Sequence, residues 1–152
     1  MTKKRIIFCL GSNIGDRKFY LDSAVKKLQD NLNLTNSKTS SILENKAMLL
    51  DNSPKEWDID FYNISFSADI DVDKFAPLEI LKITQRIEID LGKINRGKWA
   101  PREIDIDIAA IEDLIIDLVG ALKIPHPGLY ERDFFIKTIK EIEPEILEKL
   151  SK

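Results

Sequence analysis

Hydrophobic and polar positions along the 152-residue chain follow two periods, one of about two residues and one of about 3.6. Arg5 to Leu10 (RIIFCL) is a β-branched and aromatic run halted by Gly11, which predicts a buried strand. From Arg17 to Gln29 the apolar residues Leu21, Ala24, Val25 and Leu28 recur at helical spacing, with Asp16 placed to cap the start. The Thr/Ser-rich stretch LTNSKTSSI predicts an edge strand, and Phe61 to Asp69 puts Tyr62, Ile64, Phe66 and Ala68 on one side of another. Between them, Leu43 to Asp60 predicts an irregular polar loop containing Pro54 and Trp57. A second helix is expected from Pro77, with Ile80, Ile83, Ile87 and Leu91 on its apolar face and Gly92 beyond its end. The loop KINRGKWAPR then leads into a strand, EIDIDIAAI; LIIDL and ALKI predict two short strands, and PHPGLYERDFFIKTIKEI a turn and a helix.

This order, β-α-β-β-α-β with a tail, predicts an α+β fold of the ferredoxin-like kind: an antiparallel sheet with two helices on one face and the other face free to carry a site. The length and 43% apolar content suit one domain over residues 1–152, and no linker, repeat or low-complexity tract divides it. A formal charge of −3 argues against a dedicated nucleic-acid binder. Cys9, the one cysteine, excludes an internal disulfide, and no apolar run is long enough to cross a bilayer. The N-terminal charges are followed by a short apolar run with no cleavage site, so a cytoplasmic chain with neither nucleic-acid nor membrane partner is expected.

Chemistry concentrates in KWAPREIDIDIAAI, Lys98 to Ile111. Residues two apart in a strand point the same way, so Ile104, Ile106 and Ile108 face the core while Asp105 and Asp107 share the opposite face, with α-carbons about 6.5–7 Å apart. Such a pair can converge on magnesium, or be no more than the wet face of an amphipathic strand. On either reading the fold should survive asparagine at these positions, and for a metal-binding pair the loss of one of two like charges should leave stability unchanged or raise it. Lys93, Arg96, Lys98 and Arg102 precede the pair and Arg132 follows it, a local cation cluster in an acidic chain. Cations and a metal together are what a polyphosphate requires. Trp99 and Pro101 can shape this loop or cover a ring. GSNIGD reads either as a phosphate-cradling loop, though without the Walker Gly-Lys-Ser/Thr ending, or as a tight turn. His126, held between two prolines, is a fixed ligand contact or a turn histidine. Asn63 reads a heterocycle edge or faces water. An RNA-binding sheet would want exposed aromatics and a basic face; a D-x-D nuclease or nucleotidyl transferase is a further alternative.

Four blocks, LGSNIGDR, FYN, TQRIEIDLG…RGKWAPREIDIDI and IPHPGLYERDF, occur in an order and spacing that resembles the 6-hydroxymethyl-7,8-dihydropterin pyrophosphokinase family. The resemblance implies a ferredoxin-like fold and transfer of the β,γ-diphosphate of ATP to the pterin hydroxymethyl group, giving AMP, with two magnesium ions. It implies that Asp105 and Asp107 bind metal, and that Glu88, Trp99, Arg102, His126 and Arg132 surround ATP. Lys98 falls at a catalytic-loop position usually held by arginine, and Asp107 is a candidate acceptor of the hydroxyl proton. Asn63 matches the asparagine that reads the pterin edge, Phe134 an aromatic stacked on its ring, and Phe61 a ring lining that pocket. Asn45 opens a pterin wall in which Asn45, Lys46, Ala47 and Met48 stand where the family has T-P-P-x-G. The expected partners are ATP and the pterin, with fusion to, or association with, another folate-pathway enzyme also in view.

Overall fold

The computed structural model describes residues 1–150. Strand β1 (Lys3–Ser12) is followed by helix α1 (Arg17–Leu32), strands β2 (Thr35–Thr39), β3 (Leu43–Asn45) and β4 (Phe61–Asp71), and helix α2 (Pro77–Asp90). Strands β5 (Asp105–Ile111), β6 (Ile116–Leu118) and β7 (Leu122–Ile124) and helices α3 (Asp133–Ile142) and α4 (Pro144–Leu150) complete it. The main sheet is ordered β2-β4-β1-β5, with β3 continuing the edge beside β4. Every pairing in it is antiparallel, which is the expected split arrangement.

The apolar alternation seen in the sequence decides which face meets α1 and α2. Ile6, Phe8, Leu10, Ile64, Phe66, Ile106 and Ile108 pack there against Leu21, Leu28, Ile80 and Ile87. Phe8 and Phe66 stack with ring centroids 6.4 Å apart. Helix α1 starts where Asp16 accepts a hydrogen bond from the Phe19 N–H at 3.1 Å, and stops where Asn33 turns left-handed at φ 50°.

Three features depart from the sequence expectation. The stretch 43–60 is not wholly irregular, because Leu43–Asn45 pairs with Phe61–Asn63 and Lys55–Trp57 forms a 3₁₀ turn. Three residues are too few for periodicity to declare a strand; the neighbouring edge of β4 recruits them. The short strands β6 and β7 form a hairpin of their own. The second sheet face is also not free along its length: α3 and α4, with Leu129 of the turn that precedes them, lay Phe135, Ile139 and Ile146 over Ile7, Cys9 and Ala109. What stays open is the end where β1 finishes and β4 and β5 begin.

Because β1 runs antiparallel to both neighbours, its C-terminal end lies beside the N-terminal ends of β4 and β5. Gly11 pairs with Asn63 on one side and with Asp105 on the other.

Cys9 lies under α3, and burial pushes its thiol up to about 12. In the folded protein at pH 8 it should resist a disulfide reagent such as DTNB, and one thiol should react once denaturant is added. Rapid native labelling would mean that the thiol is reached in the folded protein, through a displaced α3 or through the cavity at the end of the sheet.

Candidate active site

A cavity of about 430 Å³ opens at this end of the sheet. Its floor is Cys9, Gly11, Asn63, Asp105 and Asp107; Glu88 and Gln85 of α2 form one wall, and His126, Arg132 and Phe134 another. Trp99 and Arg102 close it from the loop before β5, Phe61 lines the β4 side, and Asn45 with Met48 lies beyond β3. Of the candidate residues only Lys98 is outside this lining. It lies on the outer side of the loop with its ammonium 5.7 Å from the Trp99 ring centre.

The carboxylates are not solitary. Lys93 Nζ donates to Asp105 at 2.8 Å and reaches Glu88 at 3.2 Å, while Arg102 Nη1 lies 3.2 Å from the other Asp105 oxygen. His126 Nε2 and Arg132 Nη1 stand 3.6 and 3.9 Å from the two oxygens of Asp107. His126 Nδ1 accepts the Gly128 N–H at 2.8 Å, so the proton of the neutral ring belongs on Nε2, the nitrogen facing Asp107. Each metal-type acid therefore has two cationic or donor side chains against it.

Glu88 accepts the Ile106 N–H at 2.7 Å, which ties α2 to the first turn of side chains on β5. Burial pushes its carboxyl up, against the opposing pull of that N–H and of Lys93. Burial works to lower the Lys93 ammonium, but Asp105 and Glu88 outweigh it and hold it above the usual lysine range. Arg102 keeps one buried donor, Nε, with no partner. A buried guanidinium N–H left open beside a cavity is chemically suited to an oxyanion.

Arg96 has a different use from the rest of the cation cluster. It grips Glu103 through both guanidinium nitrogens at 2.7 and 2.5 Å, pulling that carboxyl below its usual range and bracing the loop from within. Lys93, counted in the sequence only as one more local charge, is the cation nearest the acid pair. The helix spacing of Leu81, Gln85 and Glu88, which places all three on the cavity side of α2, was the signal available for finding that wall.

No group of three or more His, Cys, Asp or Glu side chains among the described residues is arranged to hold a metal alone. Two hard carboxylates on one face suit instead a magnesium ion that keeps waters and takes its remaining oxygens from phosphate. Asn63 donates to Leu43 O at 3.3 Å and to Asn45 Oδ1, which leaves its own Oδ1 toward Gly11 and the cavity. A β-carbon at Gly11 would come within 2.9 Å of that oxygen and 3.3 Å of the Phe61 ring, so any other residue here would have to displace the Asn63 amide.

A split β-α-β sheet bearing an acid pair, a ring of cations and an aromatic-lined amide describes a phosphate-transferring enzyme with a small heterocyclic partner. The family model for 7,8-dihydro-6-hydroxymethylpterin-pyrophosphokinase matches residues 7–144. A pyrophosphokinase of that kind from Aquifex aeolicus is 38% identical over 138 residues, covering 91% of this chain and 79% of the relative. One from Bacillus subtilis is 37% identical, covering 88% and 74%. A folate synthesis bifunctional protein of Chlamydia muridarum is 38% identical, and there the match covers 89% of this chain but 29% of the relative. Among solved structures, the Plasmodium falciparum HPPK-DHPS with pteroate superposes with a TM-score of 0.66 at 15% identity, over 95% of this chain and 39% of that one, a likeness of fold. The chain belongs to the 7,8-dihydro-6-hydroxymethylpterin-pyrophosphokinase family, ATP-using kinases of folate biosynthesis that act on hydroxymethyldihydropterin.

The ion pairs reverse one expectation from the sequence. Asp105 is the counter-ion of Lys93 and Arg102, so Asp105→Asn should destabilise the ligand-free protein by about 1 kcal/mol instead of relieving repulsion. Thermal or urea denaturation in a chelator checks this, and a stability equal to or above wild type would contradict it.

Proposed function

We propose that residues 1–152 form one cytoplasmic pyrophosphokinase domain that transfers the β,γ-diphosphate of ATP to the hydroxymethyl oxygen of 6-hydroxymethyl-7,8-dihydropterin, releasing AMP. The observation that carries this reading is the alternation of charge on β5: Asp105 and Asp107 share a face, each is contacted by cationic or donor side chains, and the Arg102 Nε–H beside them is unpaired. In the described residues no helix is long and apolar enough to cross a membrane.

The barrier to such a transfer is repulsion between an oxygen nucleophile and a polyphosphate. Asp105 and Asp107 would hold magnesium, two ions by the family resemblance, whose chemistry when bound is to neutralise phosphate oxygens and orient them. Arg102 and Arg132, displaced from the carboxylates, have phosphate oxygens as their natural new acceptors, and the Nε–H of His126 can follow them. Lys98 would come in from the loop as a mobile cation on the transferring group, since its side chain is exposed and its loop lies over the cavity edge. Glu88 and Trp99 border the nucleotide. On the other side Phe61 and Phe134 offer ring faces to the pterin, Asn63 reads its amide edge with the free Oδ1, and Asn45 fixes the Asn63 amide. Asp107 can take the proton of the attacking hydroxyl. Holding both substrates between rigid strands is the larger contribution, because it turns an encounter of two ligands into reaction within one complex.

Chromatography of the products provides the direct test. AMP should appear from ATP only when the pterin and magnesium are both present; ADP as the product, or AMP without pterin, would overturn the reading. Asp105→Asn and Asp107→Asn should each lower turnover at least 100-fold, about 3 kcal/mol of transition-state stabilisation, while the far-ultraviolet circular dichroism stays native. Near-normal turnover in both would leave the acid pair as a solvated strand face.

Lys98 has a separate outcome. Lys98→Arg should match or exceed wild-type turnover and Lys98→Ala should lower it at least tenfold with little change in melting temperature, because the side chain makes no buried contact. Full activity in the alanine variant would show a surface charge and nothing more.

A further inference from the structure

Of the motif GSNIGD only Gly11 lines the cavity at the end of the sheet. Its geometry points elsewhere. Asn13 is almost wholly buried, 1% exposed, and three of its polar groups are engaged with two segments far away in sequence. Its backbone N–H donates to Arg102 O at 3.1 Å, and its side-chain Oδ1 accepts the Arg102 N–H at 2.8 Å. Its Nδ2 donates to Ile59 O at 3.2 Å. Arg102 ends the loop that bears Lys98 and Trp99, and Ile59 ends the loop that leads into Phe61 and Asn63. One amide therefore joins the nucleotide side of the site to the pterin side.

Neighbouring contacts lie along the same seam. Arg17 Nη1 donates to Asp60 O at 2.8 Å, and its guanidinium stacks 3.7 Å above the Tyr62 ring, which fixes the residues just after Ile59. Farther out, the Trp57 ring of one loop lies against Gly97 of the other, where a β-carbon would sit 3.9 Å from it. Gly97 itself has φ +114°, a conformation that favours glycine. The loops meet at their middles through Trp57 and at their roots through Asn13.

We propose that Asn13 is a positioning residue that couples the two substrate subsites, transmitting the placement of Arg102 to the Ile59–Asn63 segment. The inference rests on the pyrophosphokinase reading above. An amide is required for a physical reason: only a side chain with an acceptor and a donor on one short stem can satisfy the Arg102 N–H and the Ile59 C=O together in a space closed to water. Asn13 holds the Arg102 main chain, so a backbone shift accompanying capture of phosphates by the Arg102 guanidinium would have a direct hydrogen-bonded route to Ile59. Nucleotide should therefore raise pterin affinity, and by linkage pterin should raise nucleotide affinity by the same factor.

The test compares wild type with Asn13→Ala, which loses both side-chain bonds, and Asn13→Asp, which keeps the acceptor for Arg102 and loses the amide donor to Ile59. The dissociation constant of 6-hydroxymethyl-7,8-dihydropterin is measured with and without magnesium and a non-hydrolysable ATP analogue, alongside melting temperature and the two KM values. Wild type should show coupling of about tenfold. Both variants should bring that factor within about twofold of unity and raise the pterin KM more than the nucleotide KM, while binding of the analogue alone to Asn13→Asp changes by less than threefold. A coupling factor that stays at the wild-type value in both variants, whatever their melting temperatures, overturns the proposal and leaves Asn13 a structural residue. Absence of coupling in wild type overturns it as well. Should Asn13→Ala fail to fold, Asn13→Asp decides alone. Absence of AMP formation by wild type would overturn the underlying functional reading, whereas AMP formation with intact coupling in the variants overturns the role of Asn13 alone.

Discussion

The site depends on one register. Gly11 of the central strand is opposite Asn63 on β4 and opposite Asp105 on β5, so one missing side chain separates the Asn63 amide from the Asp105 carboxylate. Strands about 4.8 Å apart set those two side chains about 10 Å from each other across the glycine, a span suited to a ring and the first phosphates beyond it. Shifting either pairing by one residue would turn Asp105 or Asn63 into the α1/α2 core, because facing alternates along a strand. The apolar packing of Leu10, Ile64 and Ile106 on the reverse face opposes such a slip. The same residues that make the core stable therefore set the distance between the Asn63 amide and the Asp105 carboxylate.

Around that register the charges are arranged for exchange. Lys93 and Arg102 on Asp105, and His126 and Arg132 on Asp107, give the ligand-free carboxylates partners that are themselves phosphate-seeking groups. In the proposed complex, metal on the acids and phosphate on the cations would take the place of these pairs. An acid pair buried among hydrophobic neighbours with no such partners would shift toward its neutral form and resist a metal. The Arg96–Glu103 pair differs in kind: both members are satisfied by each other, and it braces the loop that carries Lys98 and Trp99.

Helices α3 and α4 account for the difference between an open ferredoxin-like sheet and this enzyme. By covering Ile7, Cys9 and Ala109 they remove the broad face that an RNA-binding sheet would present and confine access to one end. They also bring Phe134 and Arg132, some 25 residues beyond the acid pair in sequence, to the rim of the same cavity. The buried hydroxyl seam of Ser65 and Thr138, 2.6 Å apart, fixes α3 against β4, so the aromatic wall is held by the sheet it faces.

Much of this was written in local pattern. The period of two at Ile104, Ile106 and Ile108 placed Asp105 and Asp107 together on one face, and the helical spacing of Leu21, Ala24 and Leu28 with Asp16 ahead of it set α1, because each depends on neighbours within one or two turns of chain. The motif blocks were equally legible, since each is a contiguous stretch, and they led to the family. Partners separated by scores of residues were not. That Lys93 stands on Asp105 while Arg96 turns to Glu103, that Lys98 points outward, and that Asn13 joins Arg102 to Ile59 are decided by how two loops cross above a sheet edge. The physical reason is that side-chain periodicity assigns a face, whereas the identity of a hydrogen-bond partner across that face depends on strand register and loop path, which exist only once the chain has folded.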